Sequence, residues 1–228
     1  PLKEALPTGA EECAVTHLLE QVMPAGVEAS QQAMKLVVVD SDGAKADQLR
    51  RKLDEAGLYG NRVTVHQGDA ATFKAPPYIA NLVVVGNDEA PRLTGKPMLE
   101  AIYQSVRPYG GRLWVCQNGG VSAPLLEKIS TAGLPRAKVE AADKAVMVIR
   151  EGALPGSADW THLYGNVANT VKSDEQTVKL PLGVLWFGGN SNQDILPRHG
   201  HGPPEQVVGG RMFLEGMDCL SARDVYTG

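Results

Sequence analysis

The stretch Lys35–Phe73, KLVVVDSDGAKADQLRRKLDEAGLYGNRVTVHQGDAATF, decides the fold. Leu36–Val39 is a short continuous apolar run, the pattern of a parallel strand buried on both faces. Asp40 closes it, and Ser41 or Asp42 stands where a side chain can cap the free N–H groups of a following helix. In that helix Ala46, Leu49, Leu53 and Ala56 recur at spacings of three and four, which draws one apolar stripe. Gly57 supplies the stop, because glycine takes a positive φ without steric cost. Val63 and Val65 then alternate through a second strand that runs out at Gly68-Asp69-Ala70. Strand, helix and strand in this order make a βαβ unit, and such units hold ligands at the carboxyl ends of their strands.

Two acids fall at those ends. A carboxylate closing such a strand can accept both hydroxyls of a ribose, and one after the next strand can accept from an adenine amino group. The same residues read structurally as a helix cap (Asp40) and a turn residue (Asp69). In this arrangement the stretch resembles the class I S-adenosylmethionine-dependent methyltransferases, with Asp40 in the ribose position and Asp69, in GDA, on the adenine side. The resemblance implies S-adenosylmethionine as cofactor and a small-molecule methyl acceptor. In that family a first strand ends in a glycine-rich loop of the E/DxGxGxG type, and no such strand or loop is legible before Lys35. The expected fold is therefore α/β: a Rossmann-like, class I methyltransferase-like, mostly parallel sheet lacking its first strand, with a β-rich C-terminal extension.

Bulk properties narrow the classes. The 228 residues suffice to bury a core. A formal charge of −4 and a pI near 5.8 give no electrostatic reason to expect a nucleic-acid partner. Cys13, Cys116 and Cys219 are odd in number and far apart, so they form neither a disulfide framework nor a CxxC site. No apolar run reaches membrane-spanning length and nothing at the start resembles a signal peptide, so a soluble chain is expected, without a membrane partner and of unassigned location. Between Ala10 and Met23 the residues Cys13, Ala14, His17, Leu18, Gln21 and Val22 trace a helical face, ended by Pro24 and Gly26.

Downstream, Pro76-Pro77-Tyr78 reads as a rigid turn into a strand over Ile79–Val85. Asn87 and Asp88 follow its end and are the candidates to orient an acceptor; their plain reading is a solvated loop. Leu99, Ile102, Tyr103 and Val106 mark a helix. Arg107-Pro108-Tyr109-Gly110-Gly111 resembles the RPGG turn before the fifth strand of many class I methyltransferases and leads into a strand over Arg112–Gln117. A helix around Pro124–Ala132 and an antiparallel pair, Ala137–Glu140 with Ala145–Arg150, close a domain over residues 1–150.

Gly152–Ser157 reads as a linker into a β-rich extension over residues 151–228. A strand is expected over Leu182–Phe187, and two more joined by Gly216-Met217-Asp218. With its AxDxxTG ending, Ala222–Gly228, the extension resembles one blade edge of a PQQ-type β-propeller, and the whole order resembles bacterial fusions of a methyltransferase-like domain to such a propeller, relative to which the chain is expected to be truncated at both ends. Unpaired strand edges in such a tail are expected to fold back on the sheet or to form a homo-oligomer. The loop RHGHGPPEQ offers a second site: His199 and His201 can share Zn or Ni and activate water for ester or phosphoester hydrolysis, though no third ligand is evident and loop histidines bonded to carbonyls explain them equally. GxSxG, GxxxxGKS/T and HExxH are absent. Three functions follow: a methyltransferase, a metal-dependent hydrolase, and a non-catalytic scaffold.

Overall fold

The computed structural model describes residues 35–70, 72–93, 95–117, 119–142, 144–188, 192–197 and 203–228. Strands β1 (Leu36–Asp40) and β2 (Val63–Gln67) pair in parallel, from Leu36 opposite Val63 to Asp40 opposite Gln67. Helix α1 (Gly43–Glu55) crosses between them. Of the two capping candidates Asp42 does the work: its Oδ1 accepts the N–H groups of Ala44 at 2.9 Å and Lys45 at 3.2 Å. At the other end Gly57 takes φ 67°, as the sequence requires. Ala46 and Leu53 of the helix and Val63 and Val65 of β2 form a small buried core, with Leu36, Val38, Leu49 and Leu58 against it. The Arg50 guanidinium fastens helix to strand by donating to the Val65 carbonyl at 3.1 and 2.9 Å. Among the described residues, Leu36 and Val38 of β1 pack on this core. Val37 is 52% exposed, so the run Leu36–Val39 is not the doubly buried strand its composition predicts.

A second sheet contains β3 (Leu82–Val85), β4 (Gly111–Cys116), β5 (Ala137–Ala142) and β6 (Ala145–Arg150) in the order β3-β4-β6-β5. β3 and β4 are parallel; β4 with β6 and β6 with β5 are antiparallel, as expected for the edge pair. Helices α2 (Lys96–Gln104) and α3 (Ala123–Ser130) contribute to the larger core through Leu99, Tyr103 and Ile129, packed with Leu113, Val115, Val146 and Val148. β3 starts three residues later than its apolar run; Ala80 makes only an isolated bridge to Val106. Among the described residues no ladder joins β1–β2 to this sheet. The four strands expected to be neighbours therefore stand as two parallel pairs, because no described strand lies between them to carry the hydrogen bonds across.

The extension forms a third sheet, the meander β7 (Gln206–Val208), β8 (Arg211–Gly216) and β9 (Cys219–Asp224). Gly209-Gly210, both with positive φ, close the first hairpin, matching the two-residue turn that suits strand twist. The expected strand over Leu182–Phe187 does not form. Leu182, Val184 and Phe187 are 68%, 82% and 93% exposed, and Pro181 and Gly183 weaken the run as a ladder former. The segment is held from its end instead: Trp186 Nε1 donates to the Val225 carbonyl at 2.9 Å, and Arg223 Nη1 to the Gly188 carbonyl at 3.0 Å.

This meander folds back onto the α/β part. Arg107 meets Asp224 at 2.6 Å and the rings of Tyr78 and Tyr226 stand edge to face at 5.7 Å, while within the extension Trp160 exchanges two 2.8 Å backbone hydrogen bonds with Val207. No described helix is long and apolar enough to cross a membrane.

Candidate functional site

Because β1 and β2 run parallel, their carboxyl ends lie together, and Asp40 and Asp69 with them. Gly68 N–H donates to the Asp40 carbonyl at 2.9 Å and binds the two loops. A Cβ built on Gly43 would stand 2.8 Å from the Gln67 amide, so the turn after β1 lies directly against the end of β2. Each acid also has a local task. Asp40 Oδ1 accepts the Asp42 N–H at 2.8 Å. Asp69 Oδ1 accepts the Thr72 N–H at 2.8 Å and its hydroxyl at 2.9 Å, and the hydroxyl is also 3.0 Å from the Asp69 amide. Asp40 Oδ2 makes no hydrogen bond among the described residues.

The sign of this end matters more than any one contact. Asp40, Asp42 and Asp69 are three carboxylates on two adjoining loops, and the helix amides that usually greet an anion are already taken by Asp42. The arrangement seeks donors. A nucleoside presents ribose hydroxyls and an exocyclic amine to it; a phosphate would meet like charge. The carboxylates at this end suit a ligand that offers hydroxyl and amine donors better than they suit an anion.

Asn87 and Asp88 sit in the turn after β3, which closes when Glu89 and Ala90 N–H groups donate to the Gly86 carbonyl. Asn87 is half-buried and Asp88 exposed. Their neighbour Glu89 belongs to the same polar strand end: Oε1 pairs with Arg92 at 2.6 Å, while Oε2 is buried with no hydrogen-bond partner among the described residues. Sequence reading missed Gln67, and Gln117 just after β4, whose side-chain amide brackets Ser122 at 2.9 and 2.6 Å before α3. Both are polar residues at the carboxyl end of an apolar strand, and that signal was in the sequence. His199 and His201 lie outside the described residues. Earlier in the chain, His162 Nδ1 is 2.8 Å from the Thr161 hydroxyl, and among the described residues no three His, Cys, Asp or Glu converge on a metal position.

The geometry defines a mixed α/β protein with parallel strands and an acid-rimmed strand end. No family model matches the chain and no curated protein does. Solved structures similar to it include a candidate S-adenosyl-L-methionine-dependent methyltransferase of Methanococcus maripaludis, at 14% identity over 54% of this chain and 69% of the other, TM-score 0.44. PigF with SAH matches at 20% identity over 63% of this chain and 48% of its own, TM-score 0.39. The (4+2)-cyclase SpnF matches at 17% over 56% and 50%, TM-score 0.37. At such identities and scores the functional reading rests on the chain's own geometry.

Proposed function

We propose that the α/β part is a methyltransferase-like domain that binds S-adenosylmethionine, with Asp40 on the ribose hydroxyls, Asp69 on the adenine side, and Asn87 and Asp88 orienting a small-molecule acceptor. One observation carries the reading: adjoining parallel strands end in carboxylates while the neighbouring helix amides are already capped, which favours a nucleoside over a phosphate-bearing nucleotide. The bound sulfonium would supply an activated methyl group. Positioning is the main demand of such a transfer, and the chain's contribution is to hold the nucleoside and align the acceptor. In the finer reading the two sheets are halves of one methyltransferase-like sheet, with β5 and β6 as its antiparallel edge, and the meander is a blade edge of a PQQ-type propeller.

Calorimetric titration with S-adenosylhomocysteine tests this. Asp40→Ala should weaken binding by about 1–3 kcal/mol through lost hydrogen bonds to the ribose, with little change in stability. Unchanged affinity would reduce Asp40 to a turn residue. The local bonds of both acids favour a second reading, the non-catalytic scaffold. That reading stands if the unmodified chain gives no binding heat.

A further inference from the structure

Where the meander meets the α/β part, a cleft of about 140 Å³ opens between Tyr109, Ser157, Asp159, Glu175, Val207 and Tyr226. It shares no residue with the Asp40–Asp69 end. We propose that this cleft binds a small organic cation, an alkylammonium group.

Its chemistry is one-sided. The lining offers two phenol rings and two carboxylates, and no lysine, arginine or histidine. Glu175 is fixed by neutral donors alone: Oε2 accepts the Ala158 N–H at 3.0 Å, and Oε1 the Thr177 N–H at 2.6 Å and the Thr177 hydroxyl. Burial by itself would raise its pKa, but these donors outweigh that and hold it below the usual glutamate value. The charge is thus locked in place and not neutralised. Asp159 is exposed and, among the described residues, neither acid forms an ion pair; the nearby Arg107 is committed to Asp224. Burial, then the Asp159 charge, raises the Tyr109 phenol, and burial together with Tyr109 and Glu175 pushes Tyr226 to about 12. Both rings therefore stay neutral at physiological pH and keep the electron-rich faces that attract cations.

Size and sign select the ligand. A cavity of roughly 150 Å³ admits benzene, so this cleft suits an alkylammonium of a few carbons. An anion would meet two like charges. A neutral apolar group would strip water from the carboxylates with no return. A bare metal ion would find the Glu175 oxygens already bonded and no third ligand among the described residues. A cation clad in methyl groups satisfies the carboxylates by charge and the rings by contact.

The probe is tetramethylammonium, titrated into the full chain at constant ionic strength while tyrosine ring resonances are followed by NMR, with tert-butanol as the neutral control of similar size. Saturable, millimolar binding is expected, with no saturable response to tert-butanol. Asp159→Asn and Tyr226→Leu should each weaken it about fivefold. Asp159 is exposed, so its substitution leaves the fold intact and decides the matter if Tyr226→Leu unfolds. No saturation by ~100 mM, equal binding of tert-butanol, or unchanged affinity in Asp159→Asn would each overturn the assignment.

Discussion

At the scale of single residues, Gly111 shows why a glycine can be obligatory without a positive φ. A Cβ there would lie 2.3 Å from the Arg107 carbonyl oxygen and 2.8 Å from a Val106 methyl, and backbone cannot yield as a side chain can. Gly111→Ala should cost about 3 kcal/mol in chemical denaturation, the upper part of the range for overpacking. A loss below about 1 kcal/mol would show that the Arg107–Gly111 turn relaxes freely. Tyr226 makes a prediction in pH. Its phenol titrates near 12 when folded against 10.0 for a free tyrosine, so its stabilising contribution is complete below pH 10 and is lost as pH rises toward 12. Because the residue is only half-buried, the loss should be about 1 kcal/mol, less than the full shift implies. Urea melts at pH 9 and 11 should show it, and Tyr226→Phe should reduce the slope. An unchanged slope would mean that the phenol is solvated in the folded chain.

At the scale of elements, the two α/β pieces differ in how much they bury. The β1–α1–β2 core has four buried residues, Ala46, Leu53, Val63 and Val65, and no member in common with the larger core around β4 and β6. Local opening should follow that division. Leu53, 1% exposed, is the largest side chain of the smaller core, and Leu53→Ala should remove about 2–4 kcal/mol from it. Hydrogen exchange should then quicken at the β1 and β2 amides and stay unchanged at β4 and β6. Equal acceleration across both sheets would show that they unfold as one unit. The segment Leu182–Phe187 shows the converse: an apolar run remains outside any ladder of the described residues when it finds no strand edge to join.

At the scale of the whole molecule, the meander is fastened to the turn that precedes β4. Asp224 sits at the centre of that junction: Oδ1 accepts the Tyr226 and Thr227 N–H groups, and Oδ2 takes Arg107 at 2.6 Å. Both partners are about a quarter exposed, 23% and 24%, so the pair is less screened than a surface bridge. A double-mutant cycle of Arg107→Met and Asp224→Asn should give a coupling of about 1–2 kcal/mol. No coupling would mean that the aromatic contact of Tyr78 with Tyr226 holds the junction without it.

The sequence by itself determined what depends on neighbours in the chain. A cap at Ser41 or Asp42, the Ala46–Leu49–Leu53 stripe of α1, the Gly57 stop, the β5–β6 hairpin and the β8–β9 turn all follow from local sterics, capping and periodicity, and stand where the residues place them, while Ala56, the last expected member of the stripe, is exposed at the helix end. The placing of Asp40 and Asp69 at strand ends was legible for the same reason. What they touch was not: that Asp42 rather than Ser41 takes the amides, that Thr72 engages Asp69, and that Gln67 lies against Gly43 depend on side-chain geometry fixed only after β1 and β2 pair. Likewise, which apolar runs become strands and which sheets they join is a matter of available edges, and a sequence does not announce its edges. The cleft of Tyr109, Asp159, Glu175 and Tyr226 is the extreme case. Its members are spread over more than a hundred residues and share no motif, so only the docking of one sheet on another brings their charges and rings to a common space.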